Sequence, residues 1–151
     1  MKKEMLEEHF TNNSVPHILV VDDDDLFRQV MFNFLSKKKY SVQICKSGKE
    51  AIKYMKEKRF DIVFCDMAMP EMNGIKTTKE LKKIDPEAKI IIMTGYADED
   101  DWREIQKSEA CGGLLKSFKM DDICLIIKKS IELNNKEFKT WILNSLKNIK
   151  K

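Results

Sequence analysis

Two rhythms of apolar and polar positions alternate along the chain. Unbroken apolar runs, Ile18-Leu19-Val20-Val21, Ile62-Val63-Phe64-Cys65 and Ile90-Ile91-Ile92-Met93, are separated by stretches in which apolar residues recur every three to four positions. Continuous runs of this length suit strands covered on both faces, as in a parallel sheet sandwiched by helices. The pattern predicts strands at His17–Asp22, Tyr40–Cys45, Phe60–Asp66, Lys89–Thr94 and Gly113–Lys116. Between them, Leu26, Phe27, Val30, Met31, Phe34 and Leu35 form a wide helical stripe, and Ser47-Gly48-Lys49-Glu50 has the capping-box spacing. A helix is predicted from Asn73-Gly74 to the breaker Asp85-Pro86, a fourth from Asp98 as cap, and a fifth from Asp121 as cap. Strands alternating with helices imply an open α/β sheet with right-handed crossovers. A sixth helix, about 136 to 149, follows Asn134-Asn135, with Phe138, Trp141, Ile142, Leu146 and Ile149 on one face. We expect that face to pack on protein, either its own domain or a second copy. A polar stretch through about Pro16 reads as a loose N-terminal arm, so the expected division is 1–16, 17–133 and 134–151.

In open α/β sheets the binding crevice lies at the carboxyl ends of the strands. There the first strand ends in Asp22-Asp23-Asp24-Asp25, the third in Asp66, the fourth in Thr94 and the fifth in Lys116. Asp24 and Asp25 read as a solvated loop and helix cap. Asp22, Asp23 and Asp66 are harder to dismiss, because carboxylates about 4 Å apart repel by roughly 4 kcal/mol at an effective dielectric of 20. Such a cluster needs a cation, and an all-oxygen set without His or Cys selects a hard ion such as Mg²⁺. A divalent ion, a carboxylate nucleophile, a hydroxyl donor and an ammonium are the parts of a phosphoryl-transfer site. Asp66 is the better nucleophile because it ends a central strand, and its product would be an aspartyl phosphate.

Composition narrows the remaining classes. The chain has 151 residues with 42% hydrophobic and 35% charged, enough for one cored domain and too short for two full-sized ones. No apolar run approaches the ~20 residues of a membrane span, and Met1–Glu8 meets acids where a signal peptide would be apolar. A cytoplasmic location is expected. Cys45, Cys65, Cys111 and Cys124 form no CxxC pair and have no histidine at ligand spacing, so reduced, mostly buried thiols are expected. Net charge is +3, but residues 128–151 carry seven Lys against two Glu and leave the body at −2. That imbalance is too weak to argue for nucleic acid, and four lysines around a short helix are too few for a membrane anchor.

The strand ends also carry a resemblance. Ile18 to Asp23, Asp61 to Gly74 (Asp-Ile-Val-Phe-Cys-Asp-Met-Ala-Met-Pro-Glu-Met-Asn-Gly), Met93 to Asp98 and Leu114 to Phe118 resemble the receiver domain of bacterial two-component response regulators. The similarity covers about Ile18 to Leu133, and the chain looks like a stand-alone, chemotaxis-regulator-like member. It implies a flavodoxin-like (βα)5 doubly wound parallel sheet of order 2-1-3-4-5, here with an extra C-terminal helix. It implies that Asp66 accepts a phosphoryl group from a histidine kinase or phosphotransfer protein. Asp23 and Asp66 would ligate Mg²⁺ with the Ala68 carbonyl, Asp22 would act largely through water, and Thr94 and Lys116 would be the switch hydroxyl and the phosphate-pairing lysine. The expected role is a signalling switch rather than an enzyme, with output by protein–protein contact or phosphorelay and with a homodimer through the C-terminal helix as one arrangement.

Three positions depart from the family pattern. Receivers usually have Pro after the lysine in a cis peptide, whereas Ser117 stands here, so the bond is either a strained cis or a trans one that re-aims Lys116. The position three before the lysine, commonly aromatic, is Gly113, and the Thr–aromatic coupling must take another form through Tyr96 or Trp102. Ala68 offers no side-chain amide to guide water near the phosphoacceptor. Gly113 and Ser117 motivate an alternative, a phosphorylation-independent interaction module with a degraded switch. A haloacid dehalogenase-type hydrolase, suggested by the DxD in Asp22-Asp23-Asp24, would leave Asp66 without a role.

Overall fold

A computed structural model describes residues 15–145. Five strands, β1 (His17–Val21), β2 (Ser41–Cys45), β3 (Ile62–Asp66), β4 (Ile90–Thr94) and β5 (Gly112–Leu115), form one parallel sheet in the order β2-β1-β3-β4-β5. Helices α1 (Asp25–Lys37), α2 (Gly48–Glu57), α3 (Gly74–Ile84), α4 (Glu99–Lys107) and α5 (Met120–Glu132) alternate with the strands, and α6 (Asn135–Ser145) follows. The alternation led to an open α/β sheet, and this strand order is the flavodoxin-like topology that the receiver resemblance implies.

Strand periodicity sorts each apolar run onto two faces. Ile18, Val20, Ile62, Phe64, Ile91 and Met93 share one core with Met31 and Leu35 of α1, Ile123, Ile126 and Ile127 of α5, and Phe138 and Ile142 of α6. Leu19, Val21, Val63, Cys65 and Ile90 face the other way, against Ala51 and Met55 of α2 and Leu81 of α3. Ile92, Ile105 and Ala110 make a third cluster, with Trp102 and Ile75 packed on it. Both sheet faces are therefore covered, the condition that the continuous apolar runs required.

Local chemistry sets the helix starts. The Ser47 hydroxyl accepts from Glu50 N, Asn73 from Lys76 N, and Asp98 and Asp101 cap each other reciprocally. The fifth helix departs from expectation. It opens at Met120, and the Asp122 carboxylate accepts from Lys119 N at 3.0 Å, so Asp121 lies inside the first turn instead of capping it. β5 also sits one residue earlier than predicted, although Lys116 N still bonds Thr94 O at 2.7 Å.

Helix α6 docks on its own chain. Phe138 and Ile142 are fully buried, Trp141 stacks on Phe138 with centroids 6.2 Å apart, and Asn134 and Glu137 cap the start. A Cβ on Gly112 would lie 2.3 Å from Ile142 Cγ2, so the helix seats on β5 only because that residue is glycine. Asn135 Nδ2 adds bonds to the backbone and carboxylate of Glu87 at 3.1 and 2.6 Å. Of the five apolar residues expected on this face, Leu146 and Ile149 lie outside the described residues, as does the arm before Val15. No helix among the described residues is long and apolar enough to cross a membrane.

Candidate functional site

The carboxyl ends of β1, β3, β4 and β5 bring the expected residues to one edge. Asp22 follows β1 and Asp66 ends β3, the strand paired directly with β1, so register alone makes their carboxylates neighbours. Carboxylate oxygens of Asp22, Asp23 and Asp66 lie within 4.8 Å of one another, with Asp22 and Asp66 buried and Asp23 exposed. Lys116, from the turn after β5, places Nζ 2.7 Å from Asp22 Oδ2 and 3.2 Å from Asp66 Oδ1. No peptide bond among the described residues is cis, so Lys116–Ser117 is trans, and the lysine still reaches the acids.

Burial and charge set the electrostatics. Burial, reinforced by the Asp22 charge, pushes the Asp66 carboxyl up to about 6 despite the opposing pull of Lys116. Burial acts to lower the Lys116 ammonium, but its hydrogen bond and charge pairing with Asp22, then Asp66, outweigh it and leave the lysine above its usual value. One cation thus serves two buried carboxylates, with Asp23 alongside, so the pocket holds more negative than positive charge. An all-oxygen carboxylate set with one solvent-facing member fits a hard divalent ion that keeps part of its water.

The neighbours are arranged by the same local rules. The Asp24 side chain caps α1, accepting from Leu26 N and Phe27 N, and Asp25 is exposed and paired with Arg28. Both are thus accounted for without the site. Ala68 is exposed in the turn after β3. Gly74 N donates to Met67 O at 2.8 Å, and a Cβ there would fall 2.5 Å from the Asp66 carbonyl. Only glycine lets α3 start this close to the backbone of the central acid.

Thr94 sits 6% exposed at the end of β4. Its hydroxyl donates to Tyr96 O at 2.6 Å and accepts from Tyr96 N at 3.3 Å, so it is engaged by its own turn and not by the acids. Across β5, a Cβ on Gly113 would lie 2.7 Å from Trp102 Cζ3 and 3.1 Å from Ile105 Cδ1. The absent side chain at 113 is therefore matched by the Trp102 ring and Ile105 packing against the strand backbone. Cys65, beside Asp66, faces the opposite core, where burial pushes its thiol well up and keeps it unreactive.

Two residues near the site escaped the sequence reading. The Phe27 ring lies under Lys116, 4.6 Å from Nζ to the centroid, and meets Phe118 edge-on at 6.2 Å. Arg28 Nη1 donates to Asp22 O at 2.6 Å. The helical stripe marked Phe27 only as core, and no spacing rule links position 27 to position 116.

A model of the response regulator receiver domain matches residues 18–128. The chain is 35% identical over 114 residues to the transcriptional regulatory protein ZraR of Escherichia coli K12, covering 76% of this chain and 26% of that protein. It thus spans about a quarter of the length of that relative. It is 35% identical over 113 residues to the chemotaxis protein CheY of Thermotoga maritima, covering 74% of this chain and 94% of CheY. Among solved structures it resembles the response regulator TrrA of Thermotoga maritima in complex with Mg²⁺ and BeF, with a TM-score of 0.66 and 30% identity over 77% of this chain and 99% of that one. With the sheet order, the acidic edge and these matches in agreement, the chain belongs to the response regulator receiver domain family of two-component systems.

Proposed function

We propose that Asp66 accepts a phosphoryl group from a histidine kinase or phosphotransfer protein, and that residues 17–133 act as the receiver with 134–151 as a helical extension. The observation that carries this is the placement of Lys116 Nζ between Asp22 and Asp66, at 2.7 and 3.2 Å, at the edge where the three carboxylates meet. Asp23, Asp66 and the Ala68 carbonyl would hold Mg²⁺, with Asp22 acting through water, as the Mg²⁺ bound by TrrA suggests. When bound, the ion would neutralise phosphoryl oxygens. An Asp66 carboxylate oxygen would attack phosphorus in line while the bond from phosphorus to the donor breaks and the donor leaves with its electron pair. Lys116, held charged by Asp22, would shift its contact from Asp66 to a phosphoryl oxygen.

Thr94 would complete the site by turning its hydroxyl from the Tyr96 carbonyl to the phosphoryl group. That exchange frees the backbone at Tyr96, next to the start of α4, and Trp102 of α4 fills the space over Gly113. We expect Trp102 fluorescence to change when beryllofluoride and Mg²⁺ are added together, and an unchanged spectrum with demonstrated binding would favour the phosphorylation-independent module. The intact reach of Lys116 past Ser117 argues for the switch. Output would be protein–protein contact or phosphorelay in the cytoplasm. A homodimer through α6 would use the exposed Leu143, since Phe138 and Ile142 are committed to the chain's own core. In the deciding experiment, acetyl phosphate with Mg²⁺ labels the wild type and not Asp66→Asn, whereas full labelling of the variant defeats the assignment.

A further inference from the structure

Lys116 is held on three sides, and only two of them are acids. Its Nζ lies 2.7 Å from Asp22 Oδ2 and 3.2 Å from Asp66 Oδ1. The third side is the Phe27 ring, whose centroid is 4.6 Å from Nζ. A ring face attracts a cation out to about 6 Å, so this contact is well within range. The lysine side chain is only 21% exposed, and water therefore screens the attraction little.

We propose that Phe27 is a positioning residue for phosphoryl transfer: its ring holds the Lys116 ammonium at the acidic edge while the lysine exchanges Asp66 for a phosphoryl oxygen. The inference rests on Asp66 being the phosphoacceptor. During that exchange one of the two ion pairs is given up. Asp22 and the ring stay in place, and these two fixed contacts keep the ammonium from swinging out to solvent. Packing accounts for Phe27 only in part. It is half-buried at the margin of the core, and Leu26 beside it in the same stripe is 75% exposed. A leucine would meet that packing need as well, whereas only an aromatic ring presents a negative face to a cation.

The ring is itself held from two directions. The Asp24 side chain accepts from Leu26 N at 3.0 Å and from Phe27 N at 3.2 Å, which fixes the first turn of α1. In the same turn Arg28 Nη1 donates to Asp22 O at 2.6 Å, tying that turn to the acid that Lys116 pairs with. From the other side Phe118 meets the ring edge-on, at 71° with centroids 6.2 Å apart. Phe118 stands two residues after Lys116, so the aromatic contact joins α1 to the segment that carries the lysine. No proline stiffens that segment, which runs Lys116-Ser117-Phe118-Lys119 through trans bonds. The aromatic pair takes that part.

The experiment separates the charge distribution of the ring from its shape. A ring-fluorinated phenylalanine at position 27, with three fluorines at the far edge, keeps the packing and weakens the negative face. Phe27→Leu removes the ring altogether. With acetyl phosphate and saturating Mg²⁺, each change should slow labelling of Asp66 by about three- to tenfold in the full chain. Metal-free protein gives a second readout by proton NMR. The ε-methylene protons of Lys116, shifted upfield by the ring in the wild type, should return to the ordinary lysine position in Phe27→Leu. Slowing by Phe27→Leu alone, with wild-type speed in the fluorinated protein, would reduce the ring to packing and overturns the proposal. An ε-methylene shift that survives Phe27→Leu overturns it as well. Absence of labelling in the wild type defeats the Asp66 assignment instead, and the positioning role falls with it.

Discussion

The two ends of β5 solve opposite problems. At its carboxyl end, Lys116 answers for two buried carboxylates, and burial holds Asp66 near pH 6. At its amino end, Gly112 lets Ile142 reach the strand, and Phe138 lies fully buried beside it with no charge to satisfy. The first region holds groups that would be more stable in water, and the second removes groups that are less stable there. Receiver chemistry needs the unfavourable charge, so packing elsewhere has to offset it, and α6 is part of that offset.

The largest test of this contrast removes the packing. Phe138→Ala should destabilise the protein by about 3–5 kcal/mol, the usual range for a buried aromatic, while leaving Mg²⁺ affinity of the folded protein unchanged. A cost below 1 kcal/mol in chemical denaturation would show that α6 adds little to the fold. Gly112→Ala introduces a Cβ where Ile142 Cγ2 already sits and should cost about 1–3 kcal/mol. Combining it with Ile142→Ala should cost less than the two single changes added together, which a double-mutant cycle would read.

At the other end the sign reverses. In metal-free protein at pH 7, Asp66→Asn should stabilise by roughly 1–2 kcal/mol, because it deletes a charge that folding disfavours. Asp66 titrates at about 6 in the fold and near 3.9 when unfolded, so its cost is fully present above 6 and is relieved as the pH falls toward 4. The advantage of the variant should therefore shrink across pH 6 to 4. An advantage constant over that range would mean that something other than ionisation is responsible. The smallest effect concerns the turn after Asp66, where Glu71 has φ 67°, a left-handed conformation that glycine adopts freely. Glu71→Gly should change stability by less than about 1 kcal/mol in the stabilising direction, without altering phosphorylation.

Much of this was legible in the chain. The runs at Ile18, Ile62 and Ile90 announced double-sided strands, and the acids, hydroxyl and ammonium at their ends announced the edge where they meet. Register then required Asp22 and Asp66 to be neighbours, because adjacent parallel strands of equal phase end together. Helix starts were readable where a side chain caps, as at Ser47, Asn73 and Asp98. The start at Lys119 was not, because its cap is the Asp122 carboxylate reaching back to accept from Lys119 N, and Asp121 offered an equally good pattern.

What the sequence determined by itself was periodicity and chemical type: which residues are strand, which are helix, and which functional groups stand at the strand ends. Tertiary structure alone decided the pairings between distant positions. Phe27 under Lys116, Trp102 over Gly113 and Ile142 against Gly112 join residues 30 to 89 or as few as 11 positions apart, and none follows from local spacing. The engagement of the Thr94 hydroxyl by Tyr96 likewise shows only in the folded turn. The reason is physical. Helix and strand period are properties of the local backbone, whereas a contact between elements depends on how closely two surfaces approach, which the absence of a Cβ at 112 or 113 permits but does not dictate.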